Sequence, residues 1–304
     1  MRKANLSVEM PIGNISLSQL LGKYYQDFTQ ALIHFNDEYF GPFDEKGVPM
    51  QYFEGKSRYY QVYIIQYGLI LHDLILNGEN VKSNSNKLKA CMDWLHENKE
   101  ETEENIIWRN RFDLPQWGLK KGWVSGMYQG QALSLYLRAY QLFDDKAYFK
   151  IATKIFNSFS IDYKFGGFKR IDRSGCIWFE EYPSSKPSFV LNGFIYAILG
   201  ILDFYRVSKR KDSGILWESC VNTLLINLPK YDVWYWSVYD QLKEQLVSHY
   251  YQKNIHVPLM QIMFELTNEK LFDHYAIKWN NNLKNPYHRL ITKIMYRIQP
   301  KLKK

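Results

Sequence analysis

Apolar side chains recur at spacings of three and four residues along most of this chain, which is the period of an amphipathic helix. Tyr60, Ile64, Tyr67 and Leu71 show the pattern in its first clear stretch. Repeated along the chain, it predicts about nine helices, over residues 57–76, 87–97, 124–143, 145–159, 188–207, 213–227, 256–266, 269–283 and 285–298.

The links between these helices are alternately short turns and long loops rich in Gly, Pro and aromatic residues. Short links make antiparallel helical hairpins, and long loops at every second link gather at one end of the assembly. We therefore expect an all-α fold, an α/α barrel (toroid) of helical hairpins with small β pieces and its site at the loop end. We expect the chain to divide into three parts: an N-terminal extension packed on the barrel (1–56), a catalytic domain (57–283), and a basic amphipathic C-terminal helix and tail (284–304).

The longest uncharged stretch, residues 187–202, is short for a membrane span and contains Asn192 and two glycines, so a buried helix is expected. The N-terminal residues lack the apolar core of a signal peptide. Three widely spaced cysteines, Cys91, Cys176 and Cys220, form neither a disulfide framework nor a zinc pattern. These features favour a cytoplasmic protein, with peripheral membrane contact as a second possibility.

Aromatic residues make up 17% of the chain and its formal charge is +8, which suggests either nucleic acid or carbohydrate as a ligand. Seven Lys and Arg residues and no acids lie in 284–304, so the rest of the chain carries only +1. The charge therefore belongs to the C-terminal tail, where Leu290, Ile294 and Ile298 could face one way and the cations another. Either a docked helix with a solvated basic face or contact with an anionic membrane or glycan fits this pattern.

Three segments stand out from the helical background. Residues 122–132 combine three glycines with Gln129 and Gln131, and alone favour a close helix contact. Residues 178–194 place Glu180, Glu181 and Tyr182 in a proline-braced loop before a helix. Residues 228–256 carry tyrosines and tryptophans too irregularly spaced for a simple core stripe, although a packed aromatic lid would also fit.

These segments, in this order, resemble the C-terminal catalytic region of the D-glucuronyl C5-epimerase family. The resemblance rests on Gln129-Gly130-Gln131, on Glu180-Glu181-Tyr182-Pro183 followed by residues 188–194, and on Leu228-Pro229-x-Tyr231-Asp232 followed by Tyr239-Asp240. With the stretch at 63–69 it covers roughly residues 42–280. It implies an α/α barrel, no organic cofactor, and action on uronic acid residues of an anionic polysaccharide.

Inversion at C5 removes a weakly acidic hydrogen next to a carboxylate, so it needs a base on one face, an acid on the other and stabilisation of the added charge. By resemblance the catalytic residues are Glu181, Tyr182, Tyr239 and Tyr251, with Tyr250 as the alternative to Tyr251. The substrate-binding residues implied are Gln66, Trp123, Gln129, Gln131, Asn192 and His256. No His, Asp and Glu pattern indicates a catalytic metal.

One position departs from the family. Animal members carry an arginine three places after the motif tyrosine, where this chain has Leu242 followed by Lys243. Leucine cannot neutralise a carboxylate, and lysine is not a bidentate substitute for arginine. Lys120, Lys121 and Lys186 are other cations to consider, although each is better explained as a solvated surface residue.

The leading hypothesis is a uronyl C5-epimerase that acts within a polymer. A polysaccharide lyase starts with the same proton abstraction, and a non-catalytic glycan-binding protein would explain Leu242. Nucleic acid is not expected, because no motif for it occurs. The partners expected are an anionic polysaccharide, a membrane surface through the basic tail, and a second copy in a homodimer.

Overall fold

The computed structural model describes residues 8–13, 15–32, 40–53 and 55–302. Its helices are α1 Gln61–Leu76, α2 Val81–Glu97, α3 Gly126–Phe143, α4 Lys146–Asn157, α5 Leu191–Ser208, α6 Lys211–Asn227, α7 His249–Tyr251, α8 Val257–Thr267, α9 Lys270–Lys284 and α10 Pro286–Leu302. A π-helical turn, Gln252–His256, joins α7 to α8 without a break. Three two-stranded antiparallel sheets pair β1 Gln51–Phe53 with β2 Lys56–Arg58, β3 Glu100–Glu101 with β4 Ile106–Ile107, and β5 Lys169–Ile171 with β6 Ile177–Phe179.

Each of the nine predicted helices has a counterpart, and the prediction of a mostly helical chain with small β pieces is confirmed. Two helices begin at least six residues earlier than predicted. Helix α2 starts at Val81, six residues before the predicted start, because its first turns are polar and mostly exposed and lack an apolar period. The helix predicted from 256 begins at His249, where a π-helical turn interrupts the ordinary spacing.

Buried and half-buried helices alternate along the chain. Helix α5 buries 16 of its 18 residues, whereas α4 buries three of 12. A helix that is apolar on all sides lies inside, and one with a single apolar stripe lies outside. Helices α1, α3, α5 and α8 are therefore inner helices, and α2, α4, α6 and α9 cover them.

The inner helices α3 and α5 pack backbone against backbone. A Cβ added to Gly130 would overlap the backbone at Tyr196 and Ala197, and one added to Gly200 would overlap Gly130. Only glycine allows this approach. Gly130 therefore makes the close helix contact expected of the glycines at 122–132.

The carboxyl ends of α3 and α5 hold the N-terminal segment, residues 15–28. Asp203 accepts from Arg138, from Arg206 and from the Tyr25 hydroxyl, at 2.6, 3.2 and 2.7 Å. The two guanidinium groups also donate to backbone carbonyls of Ser18, Leu20, Gly22 and Lys23. Because these charged side chains are almost fully buried, they fix the segment to the core, which it enters with Leu21, Tyr24 and Tyr25.

The basic helix α10 lies at the surface. Leu290, Ile294 and Ile298 are 57%, 47% and 39% exposed, and Met295 packs against the core. No helix within the described part of the chain is long and apolar enough to cross a membrane. The uncharged stretch at 187–202 instead enters the buried helix α5, while peripheral membrane contact and a homodimer stay predictions.

Candidate active site

Glu180 and Glu181 follow strand β6 directly and point to opposite sides, as successive residues of an extended chain do. The Glu180 carboxylate lies 2.9 Å from Arg170 Nε of β5 and accepts from the Ser188 hydroxyl at 2.7 Å and the Phe189 amide at 3.1 Å. These bonds tie β5, β6 and the chain entering α5 together. Glu180 is therefore a structural anchor, and its neighbour faces the site.

Glu181 lies in a cluster with two tyrosines. The Tyr239 hydroxyl donates to Glu181 Oε1 at 3.0 Å, and the hydroxyls of Tyr182 and Tyr239 are 3.3 Å apart. Gly193 of α5 has no side chain and so leaves room for the Glu181 carboxylate, which a Cβ there would overlap. Three residues implied by the family resemblance thus meet in space.

Burial sets the protonation of this cluster. It raises the pKa of Glu181 from 4.5 to about 7, against the opposing effect of the tyrosine hydrogen bonds. Burial also raises the pKa of Tyr182 and of Tyr239 well above 10, and the charge of Glu181 adds to the effect. At neutral pH the phenols are proton donors, while Glu181 can accept a proton.

Three inner helices begin at this cluster. The first amide of α3, Gly126, donates to the Glu180 carbonyl at 2.8 Å, and the first amide of α5, Leu191, donates to the Tyr239 carbonyl at 3.1 Å. Tyr60, just before α1, is near enough for Glu181 to raise its pKa, although burial is the larger cause. No side chain caps these fully described helix starts and no acid lies in their first turns, so their positive ends favour negative charge here.

Tyr251 and His256 extend the cluster on the side of Tyr239. The rings of Tyr239 and Tyr251 are 5.7 Å apart, and those of Tyr251 and His256 are 5.4 Å apart. Tyr250 instead lines a cavity beneath α10. Of the two alternatives, the structure brings Tyr251 to the cluster.

Burial lowers the pKa of His256 to about 3, so its imidazole is neutral. Its Nδ1 lies 2.8 Å from the Ser237 hydroxyl, whose own hydrogen is donated to Gln252 Oε1 at 2.9 Å. Nδ1 must then carry the ring proton, which leaves Nε2 as an acceptor.

Several acceptors in this region are buried without a hydrogen-bond partner among the described residues, among them Glu181 Oε2, Asn192 Oδ1 and His256 Nε2. An unpaired buried polar group costs about 1–3 kcal/mol. A ligand rich in hydroxyl groups would supply the missing donors. The acceptors therefore favour a carbohydrate over an apolar ligand.

Trp117 covers the tyrosines, and the sequence motifs did not single it out. Its indole stacks on Tyr182 with centroids 4.5 Å apart and rings inclined by 12°. The Lys243 ammonium lies 3.7 Å from the indole centroid and donates to the Gln116 carbonyl. Since Tyr182 occupies one face of the indole, Lys243 lies on the other.

The other cations considered lie elsewhere. Lys120 pairs with Asp113 at 3.4 Å on the surface, and the amide of Lys121 donates to the same carboxylate. Lys186 is exposed. Leu242, 38% exposed, stands in a turn where its amide donates to Asp240. Among these residues only Lys243 contacts the aromatic cover of the site.

The remaining implied substrate-binding residues differ in position. Trp123 lies 6.0 Å from Tyr182 between ring centroids and so borders the cluster. Gln66 and Gln131 bond each other at 3.3 Å, about 7 Å along their helices from the starts of α1 and α3. The structure does not bring Gln129 to the cluster: its buried amide bonds Trp108, Ile106 and Ser158.

The fold and this cluster define a mostly helical protein with a buried carboxylate and several phenols at the starts of its inner helices. The family model for the D-glucuronyl C5-epimerase C-terminus matches residues 102–281. This match covers more than half of the chain, which therefore belongs to that family.

The chain is similar to two curated relatives, one of which is described as a member of this family. A D-glucuronyl C5-epimerase of Caenorhabditis elegans is 28% identical over 221 residues, 65% of this chain and 35% of the relative. The uncharacterized protein MJ1128 of Methanocaldococcus jannaschii is 32% identical over 189 residues, 60% of this chain and 61% of the relative. The alignments thus span less than two thirds of either relative.

Proposed function

We propose that this protein is a uronyl C5-epimerase that acts on glucuronic acid residues within a polysaccharide. The observation that carries the proposal is the buried Glu181 carboxylate, which has its pKa raised to about 7 and is hydrogen-bonded to the Tyr239 hydroxyl. A base with a pKa near the working pH is what proton abstraction from carbon requires. Family membership supports the same reaction class.

In this mechanism Glu181 takes the proton from C5. The electron pair moves into the neighbouring carboxylate, which becomes an enediolate with two negative charges. The positive ends of α1, α3 and α5 stabilise that added charge. A preorganised set of peptide dipoles thus does part of the work that the family arginine would do.

Inversion needs a proton from the other face of the sugar. The Tyr182 and Tyr239 hydroxyls lie on the side of Glu181, at 3.3 Å from each other. Tyr251 contacts the ring of Tyr239, whose hydroxyl bonds Glu181. We assign the donor role to Tyr251, whose proton enters C5 and leaves a tyrosinate. After product release, solvent reprotonates Tyr251 and takes the proton held by Glu181.

The alternation of inner helices α1, α3, α5 and α8 with outer helices α2, α4, α6 and α9 supports the α/α barrel as the finer description of the fold. In such an arrangement the starts of the inner helices share one end. A groove at that end suits a polymer, because a long chain can pass across it and present an internal sugar to Glu181.

Incubation with heparosan, a polymer of glucuronate and N-acetylglucosamine, in heavy water tests the proposal. The expected result is deuterium at C5 of the uronate with unchanged chain length, and no deuterium with Glu181→Gln. Shorter chains with unsaturated ends would identify a lyase instead. Binding without exchange would identify a non-catalytic glycan-binding protein. That function would explain why Leu242 stands at the position of the family arginine.

A further inference from the structure

A second cavity, of about 550 Å³, opens beside the catalytic cluster. Its walls come from strand β2, the start of α1, the end of α2 and the loop that leads to Trp117. The residues that matter for its chemistry are Lys56, Arg58, Gln61, Trp94, Arg111 and Phe112.

Three of these residues are cations, and the described lining residues include no carboxylate. The nearby acids Asp44, Glu45, Asp93 and Glu97 line a different groove, which shares Tyr59, Trp94 and Asn98 with the cavity. Among the described residues, the lining of the cavity therefore carries a net positive charge, which suits an anion.

Aromatic side chains give the cavity apolar faces. The Arg58 guanidinium carbon lies 4.6 Å from the Phe112 ring centroid, and the rings of Tyr59 and Trp94 are 5.0 Å apart. Arg111 Nη2 lies 3.4 Å from Asn98 Oδ1 at the rim. Flat apolar faces beside cations suit a ring that carries both C–H groups and a negative charge.

Gln61 supplies an independent sign of a ligand. Its side chain is buried, and its Nε2 donates to the Arg109 carbonyl at 3.0 Å. Its Oε1 is buried with no partner among the described residues. A hydroxyl donor in the cavity would satisfy this oxygen.

The cavity lies close to the catalytic cluster, from which a layer of aromatic rings separates it. The Phe112 ring lies 5.8 Å from Trp123, which lies 6.0 Å from Tyr182. Tyr60, next to Gln61 in the chain, contacts Phe112 at 5.2 Å. One short oligosaccharide could therefore occupy both places.

We propose that this cavity is a subsite for a second acidic sugar of the same polymer, two sugars from the one that reacts. The carboxylate of that second acidic sugar contacts Lys56, Arg58 and Arg111, its hydroxyls reach Gln61, and its ring lies on Phe112 or Trp94. This assignment rests on the proposed function. It explains how a chain without the family arginine holds an anionic polymer: the charge is recognised two sugars away from the chemistry.

The test uses the double variant Lys56→Ala/Arg111→Ala, since both side chains are exposed and folding should not depend on them. The matched control is Lys82→Ala/Arg173→Ala, at two exposed cations outside the cavity. Calorimetry gives the Kd for a heparosan octasaccharide, and deuterium exchange gives KM. We expect both constants to rise about tenfold in the double variant and to stay unchanged in the control.

The salt dependence of binding gives a second test of the proposed subsite. Added salt should weaken wild-type binding more than binding by the double variant, because screening acts on charges that the variant lacks. Wild-type affinity in the double variant, or no binding of heparosan by the wild-type protein, overturns the subsite. Weakened binding without any C5 exchange in the wild-type protein would keep the subsite and refute the epimerase.

Discussion

Glu180 and Glu181 show how environment separates two identical side chains. Burial raises the pKa of both, but at Glu180 the Ser188 and Phe189 donors and the Arg170 guanidinium oppose it, whereas the described hydrogen-bond partners of Glu181 are phenols. A carboxylate paired with a guanidinium is held in place, and one without a cation is poised to take a proton. The sequence shows two adjacent acids, and strand alternation explains why only one can face the site.

The raised pKa of Glu181 predicts an effect on activity. Only ionised Glu181 can act as the base, so kcat/KM should fall about tenfold per pH unit below about 7 and level off above it. A pH profile of C5 exchange measures this. A profile that is flat between pH 5 and 8 would contradict Glu181 as the base.

The raised pKa of Glu181 also predicts that stability decreases as pH rises, whereas activity increases. Between pH 4.5 and about 7 the folded protein binds the Glu181 proton more tightly than the unfolded chain, so the free energy of unfolding falls as pH rises. Glu181→Gln should therefore be inactive yet more stable at pH 8, by about 3 kcal/mol. Urea unfolding measures it, and the exposed Glu104→Gln is the control, expected to match the wild-type protein.

The π-helical turn Gln252–His256 decides which tyrosine belongs to the site. In an α-helix, residues five apart differ by about 140° around the axis. A π-helical turn bonds each residue to the fifth one along and so brings such residues to one face. Tyr251 and His256, five apart, are in ring contact for this reason. The family resemblance left Tyr250 and Tyr251 as alternatives, because the sequence does not show where the π-helical turn lies.

Replacing each of these tyrosines by phenylalanine separates them. Tyr251→Phe removes the proposed proton donor and should reduce C5 exchange about 100-fold or more. Tyr250→Phe removes a hydroxyl that lines the cavity beneath α10 and should leave exchange within about threefold of wild type. Equal losses in both variants, or a larger loss at Tyr250, would contradict the assignment.

Across the whole molecule, the candidate active site and the buried ion-pair network lie at opposite ends of the inner helices. Glu181 meets the starts of α3 and α5, and the buried Arg138, Asp203 and Arg206 lie in their last two turns. Helix positions were predictable because apolar periodicity is local. The contact of Trp117 with Tyr182 and the pairing of Arg138 with Asp203 were not, since each joins residues about 65 apart in the chain.

Asp203 is the centre of the buried ion-pair network with Arg138 and Arg206. Asp203→Ala would leave two buried guanidinium groups without their carboxylate, and should lower the free energy of unfolding by about 3–5 kcal/mol. Asp212→Ala breaks an ion pair with Arg210 that is exposed, and should cost less than about 1 kcal/mol. Chemical denaturation compares the two, and similar losses would mean that the buried network is not what holds this end together.

Asn254, in the π-helical turn, has a consequence for how the chain folds as it is made. Its side-chain amide bonds the backbone of Val8 and of Met10, the latter across 244 residues, and its carbonyl accepts from Gln26. Val8 and Met10 are buried in the finished protein. During translation these two residues stay exposed until residue 254 has left the ribosome. The step that covers them also orders the turn carrying Tyr251, so an incomplete chain exposes an apolar segment and lacks the site at the same time.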